Sequence, residues 1–129
     1  MQVNCSKLPW LLDERLIEVL NNVLLSAPEN VDDGVIISFR DEKYSASEGG
    51  FHPVEIALRR DGTLLYITDF NFVGDELCKC LDFDFSLQVF QYYGMDSPIM
   101  TGREVFQLFQ DNFISYHKKK VYTVSLEPW

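Results

Sequence analysis

Two alternating stretches that meet at Asp61-Gly62 constrain this chain most. Pro53 to Arg60 sets Val54, Ile56 and Leu58 on one side and Glu55 and Arg59 on the other. Thr63 to Asn71 (TLLYITDFN) follows, rich in β-branched and aromatic residues. A period of two suits a half-buried strand and not a helix. Asp-Gly between two such runs is the strongest short hairpin signal, because its residues tolerate the positive φ of a tight turn. The chain is therefore organised around an antiparallel sheet.

The flanks extend that reading. Val35 to Arg40 (VIISFR) is a strand, Asp41 to Phe51 a polar loop with a Gly pair, and Val121 to Leu126 a closing strand. Val73 to Leu81 reads as a short turn or helical segment around Asp75-Glu76-Leu77, Phe83 to Tyr92 as one more strand, and Gly94 to Pro98 as loop. Leu12, Leu16, Val19, Leu20, Val23 and Leu24 fall on a 3.6-residue stripe, which predicts an amphipathic helix from Pro9 to Ser26, stopped by Pro28. A second helix is expected over Thr101 to Tyr116, with Thr101 and Glu104 as a capping box and Val105, Phe106, Leu108, Phe109, Phe113 and Ile114 as its apolar side. Helix, antiparallel strands, helix, strand is an α+β order. With 129 residues, 47% of them hydrophobic, residues 1–129 are read as a single domain with its own core.

Charge narrows the function classes. Twenty acidic residues against eleven basic give a formal net charge of −9, which disfavours direct nucleic-acid binding, since phosphates are neutralised by Lys and Arg. Between Asp61 and Asp111 nine acids face only Lys79 and Arg103. Asp69, Asp75, Glu76, Asp82 and Asp84 are the candidate acidic face. In Asp82-Phe83-Asp84 a strand would turn both carboxylates one way and Phe83 and Phe85 the other. No calcium-loop spacing accompanies them, and the odd trio Cys5, Cys78 and Cys80 lacks convergent metal ligands, so no metal and no cofactor is expected. Reduced thiols, the lack of a basic, uninterrupted apolar start and the lack of a long apolar run predict a cytoplasmic protein off the membrane.

The loop from Tyr44 to Glu55 is the most site-like stretch. It gathers Tyr44, Ser45, Gly49, Gly50, His52 and Glu55, and His52 is a candidate base that Glu55 or Asp69 would orient. The plainer reading is a crossing loop in which the Gly pair supplies positive φ. His117 reads as exposed. No GxSxG, GxGxxG or GxxxxGK[ST] pattern occurs, so no catalytic residue is assigned.

Taken together, Phe39-Arg40-Asp41, Tyr44-Ser45, Gly49-Gly50-x-His52-Pro53-Val54-Glu55-Ile56, Tyr66-Ile67-Thr68-Asp69-Phe70 and Leu81-Asp82-Phe83-Asp84-Phe85 resemble a bacterial domain-of-unknown-function family, number 2787. Its members are short proteins of mobile elements and genomic islands, and the resemblance spans residues 10 to 126. It implies a fold similar to the acidic mitochondrial matrix proteins that bind complement component: a twisted antiparallel sheet flanked by terminal helices, assembled into rings that bind several ligands. The strand after the second helix departs from their helical ending. The resemblance carries no activity and no catalytic residue.

Three readings follow. The first is a binding protein, a homo-oligomer presenting its acidic face to a basic protein partner. The second is a nucleic-acid mimic acting on a DNA-binding protein. The third is a small-ligand or hydrolytic site at the Gly49-Gly50/His52 loop, which requires Tyr44, His52, Glu55 and Asp69 to converge.

Overall fold

In the computed structural model, which describes residues 1–129, α1 (Glu14–Leu24) precedes six strands: β1 (Gly34–Arg40), β2 (Val54–Arg59), β3 (Leu64–Val73), β4 (Glu76–Asp84), β5 (Val89–Tyr92) and β6 (Met95–Pro98). A 3₁₀ turn, Ile99–Gly102, leads into α2 (Arg103–Lys118), and β7 (Thr123–Pro128) ends the chain. The seven strands form one sheet in the order β6-β5-β4-β3-β2-β1-β7, every neighbouring pair antiparallel. Six strands are laid down one beside the next. After α2 the chain returns along the far edge to pair with β1. The α+β class and the open antiparallel sheet with a helix near each end are as the sequence predicts. No helix is long and apolar enough to cross a membrane.

Both helices contribute to one core. Leu16, Leu20 and Leu24 of α1 join Val35, Ile37 and Phe39 of β1, Ile56 of β2, Ile67 of β3 and Phe83 of β4, with Phe106 and Phe113 of α2. In β1 and β2 the members of this cluster sit at every second position, and a bulge opposite Ala57 and Leu58 sets Leu64 and Ile67 of β3 three apart, so the helices cover one face of the sheet and leave the other bare. The start of α1 meets the middle of α2, where buried Gln110 accepts the Asp13 backbone N–H through Oε1 at 2.9 Å.

Several local expectations are corrected. The first helix begins at Glu14, not Pro9, because Asp13 caps it and accepts the Arg15 N–H at 2.8 Å. The segment before it runs over the β2–β3 turn, where the Asn4 N–H donates to the Gly62 carbonyl at 2.9 Å. The Thr101–Glu104 capping box does not form. Thr101 lies in the 3₁₀ turn, and Gly102, whose Cβ would sit 2.7 Å from Phe90 Cγ, occupies the cap position. Asp75-Glu76-Leu77 is not helical: Gly74 and Asp75 form a tight turn, and β4 starts at Glu76. Phe83 to Tyr92 is not one strand. The Asp84 carboxylate accepts the Ser86 hydroxyl at 2.6 Å and the Leu87 N–H at 3.0 Å, and this turn separates β4 from β5. The expected loop over Gly94 to Pro98 contains β6, reached through a turn in which Tyr93 and Gly94 both have positive φ.

Candidate functional site

The polar crossing loop is built around Asp41. Its Oδ1 accepts the Lys43 N–H at 3.0 Å and its Oδ2 the Phe51 N–H at 3.1 Å. Ser45 and Gly49 exchange backbone hydrogen bonds, and Ser45 Oγ accepts the Glu48 N–H at 3.1 Å, so the serine holds the loop itself. Gly50, at φ +135°, passes so close that a Cβ would lie 2.9 Å from Asp41 Oδ2 and 3.0 Å from Tyr44 Cα. Only glycine meets both conditions. Tyr44 folds inward: its hydroxyl accepts the Phe72 N–H at 3.0 Å, and its ring lies 5.8 Å from that of His52.

His52 and Asp69 come together, with Nδ1 3.2 Å from Asp69 Oδ2. Asp69 is buried and its other oxygen accepts the Leu81 N–H at 2.8 Å. Glu55 is not part of this group. One residue from Val54 and Ile56, it projects to the bare face of the sheet, where the Tyr66 hydroxyl donates to its Oε2 at 2.7 Å. The convergence of four residues expected from the sequence is thus a convergence of Tyr44, His52 and Asp69.

Of these three, His52 and Asp69 border a cleft of about 310 Å³ between the loop and α2. Its walls are largely apolar, from Phe51 on the loop to Val105, Leu108, Phe109 and Tyr116 on α2, with His52 and Asp69 on its floor. Phe51 and Tyr116 meet across it at 4.6 Å between ring centres. Burial pushes the Tyr122 hydroxyl, which also lines the cleft, above its ordinary pKa, and the nearby Tyr116 and Asp69 add to the shift. The predicted apolar side of α2 was wider than the face it buries. Val105 is 37% and Leu108 65% exposed, and both line the cleft. That excess width was the available sequence signal for this wall. Asn112, Tyr116 and Tyr122 left no such signal. No serine, threonine or cysteine lines the cleft, and its hydroxyls are the phenols of Tyr116 and Tyr122. His117 is corrected from exposed to half-buried: its ring stacks 6.4 Å from Phe113, and burial lowers its pKa.

The predicted acidic group divides. Asp82 and Asp84 share the bare face, opposite buried Phe83. Asp69 is on the helix side, and Asp75 and Glu76 are at the β3–β4 turn. Strand register brings other acids in. One row across the bare face reads Ser125, Ser38, Glu55, Thr68, Asp82, Gln91, Asp96, and the next Glu127, Ile36, Ala57, Tyr66, Asp84, Val89, Pro98. These rows hold five acids and no base, with Arg40 and Arg59 in the flanking rows and Lys79 4.0 Å from Asp82. Burial raises the Asp82 pKa against the lowering effect of the Thr68 hydroxyl, which donates to Oδ1 at 2.7 Å.

An open antiparallel sheet with both helices on one face and a small apolar cleft beside the second helix defines an α+β open-sheet scaffold. The chain belongs to the family described as "Protein of unknown function (DUF2787)", whose model matches residues 14–127. A hypothetical protein from the VSP-II pathogenicity island of Vibrio cholerae is similar over 100% of this chain and 99% of its own, at 30% identity and a TM-score of 0.87. A conserved hypothetical protein from pathogenicity island VPI-2 of the same species is 37% identical over 97% of this chain and 99% of its own, with a TM-score of 0.82, and is described as sharing structural homology with the human P32 protein. No curated protein matches the chain.

Proposed function

We propose that this protein is an interaction module that presents the bare face of its sheet to a basic protein partner and works as a homo-oligomer. The carrying observation is the pair of adjacent rows that hold Glu55, Asp82, Asp96, Glu127 and Asp84 and contain no basic residue, Lys79 alone approaching Asp82 from outside them. Such a face attracts Lys- and Arg-rich surfaces and speeds their encounter, and repetition in an oligomer multiplies its avidity. The similarity of this chain to a pathogenicity-island protein described as sharing structural homology with human P32 is consistent with a binding role. A nucleic-acid mimic is less well supported, because the carboxylates are shared among the bare face, a hairpin tip and the helix side.

The test is titration of a Lys/Arg-rich peptide into the protein and into the double variant Asp96→Lys/Glu127→Lys, both exposed positions on the two edge strands. The variant should bind about tenfold more weakly at low salt, and the difference should shrink as salt rises. Equal binding by both, together with monomeric elution in light scattering, would overturn the reading.

A further inference from the structure

We infer that the cleft between the Gly50–Pro53 loop segment and α2 is a binding site for a small neutral molecule with an aromatic body and one hydroxyl donor, a phenol in its simplest form. The site is independent of the acidic face, which lies across the sheet.

Four observations carry this. First, at about 310 Å³ the cleft is at the small end of the ligand-site range of roughly 300–1,000 Å³. Second, its walls are largely aromatic and aliphatic, and part of that surface lies open: Leu108 is 65% and Val105 37% exposed on a helix whose other apolar residues are buried. A ring inserted there would remove this surface from water. Third, the polar floor is preorganised. A carboxylate can only accept, so Asp69 Oδ2 holds His52 with Nδ1 as the donor, while Asp69 Oδ1 is taken by the Leu81 N–H. With Nδ1–H committed to Asp69, the neutral form of the ring offers Nε2 as an acceptor that has no partner in the protein. What suits it is an O–H group. Fourth, no lysine or arginine lines the cleft, and Asp69 does. An anionic ligand would lack a permanent counter-charge and would meet a carboxylate. Charge thus selects a neutral hydroxyl-bearing ligand over an aromatic acid.

The experiment compares three probes by amide chemical-shift titration of the full chain: 4-ethylphenol, its methyl ether 4-ethylanisole, which cannot donate, and 4-ethylbenzoate, which is charged. We expect 4-ethylphenol to shift amides of residues 50–54 and 105–116 and to bind about tenfold tighter than either analogue. In His52→Phe, which keeps a ring but removes the acceptor, the preference for the phenol over the ether should vanish. Leu108→Ser, at an exposed position, should weaken all probes together. Absence of shifts in that region with every probe would overturn the inference. So would binding of the ether or the benzoate as tight as that of the phenol, persistence of the preference in folded His52→Phe, or an unchanged affinity in Leu108→Ser.

Discussion

Asp13 and Asp82 carry opposite lessons about a carboxylate in this fold. Asp13 is a half-buried helix cap. The Arg15 guanidinium, at 2.7 Å, and the Arg15 backbone N–H hold its pKa down to about 2. A pKa lowered on folding contributes stability that is present above the ordinary carboxylate range and is lost as pH falls towards 2. Asp13→Ala should therefore cost about 1 kcal/mol near neutral pH in urea unfolding, and the cost should fade in acid. Asp82 is the reverse. Burial raises its pKa, so its charged form opposes folding at neutral pH and ceases to do so below the ordinary carboxylate range. Asp82→Asn should stabilise the protein near neutral pH, with the gain disappearing in acid. Thr68→Val, which strips the buried carboxylate of its donor at 2.7 Å, should cost about 1–3 kcal/mol. The pattern Asp82-Phe83-Asp84 showed that both acids share a face. That Asp82 would be buried beside Thr68 depends on the β3–β4 register, which links residues 14 apart.

Elements were legible where a single period ran unbroken. The stripe of α1 predicts its buried leucines, and Leu20→Ala should cost about 2–5 kcal/mol, whereas Leu25→Ala, at an 84% exposed position, should stay within about 0.5 kcal/mol. Chemical denaturation separates the two. The hairpin at Asp61-Gly62 formed where its alternation placed it, but the turn has a second duty. A Cβ at Gly62 would lie 1.8 Å from the Gln2 carbonyl oxygen, and the residue has φ +87°. Gly62→Ala should release residues 1–4 from the turn, seen as faster amide exchange at Asn4, with a stability loss of at least about 1 kcal/mol. Elements were misread where tight turns interrupt short strands. Around Gly74, Gln88 and Gly94 a few polar residues reverse the chain, and local composition there resembles loop or helix. Pairing along the sheet made β4, β5 and β6 into strands, because each finds its hydrogen bonds in a neighbour.

For the molecule as a whole, charge and topology meet on the bare face. Five carboxylates on adjacent rows repel one another, so the thermal midpoint should rise as salt is added from low ionic strength, and Glu127→Lys, at an exposed edge position, should reduce that dependence. A midpoint indifferent to salt in both proteins would show that these charges do not act as a group. The sequence by itself determined the α+β class, the two helices, the central hairpin, the acidic total and the family, because each is a local period, a composition or a local motif. Only the tertiary structure decided which acids share a surface and that His52 faces Asp69 while Glu55 faces away. It also opened a cleft between α2 and a loop some 50 residues earlier in the chain. The physical reason is that face and register come from long-range strand pairing: a shift of one residue would exchange the two sides of a strand, and no local pattern records which neighbour it will meet.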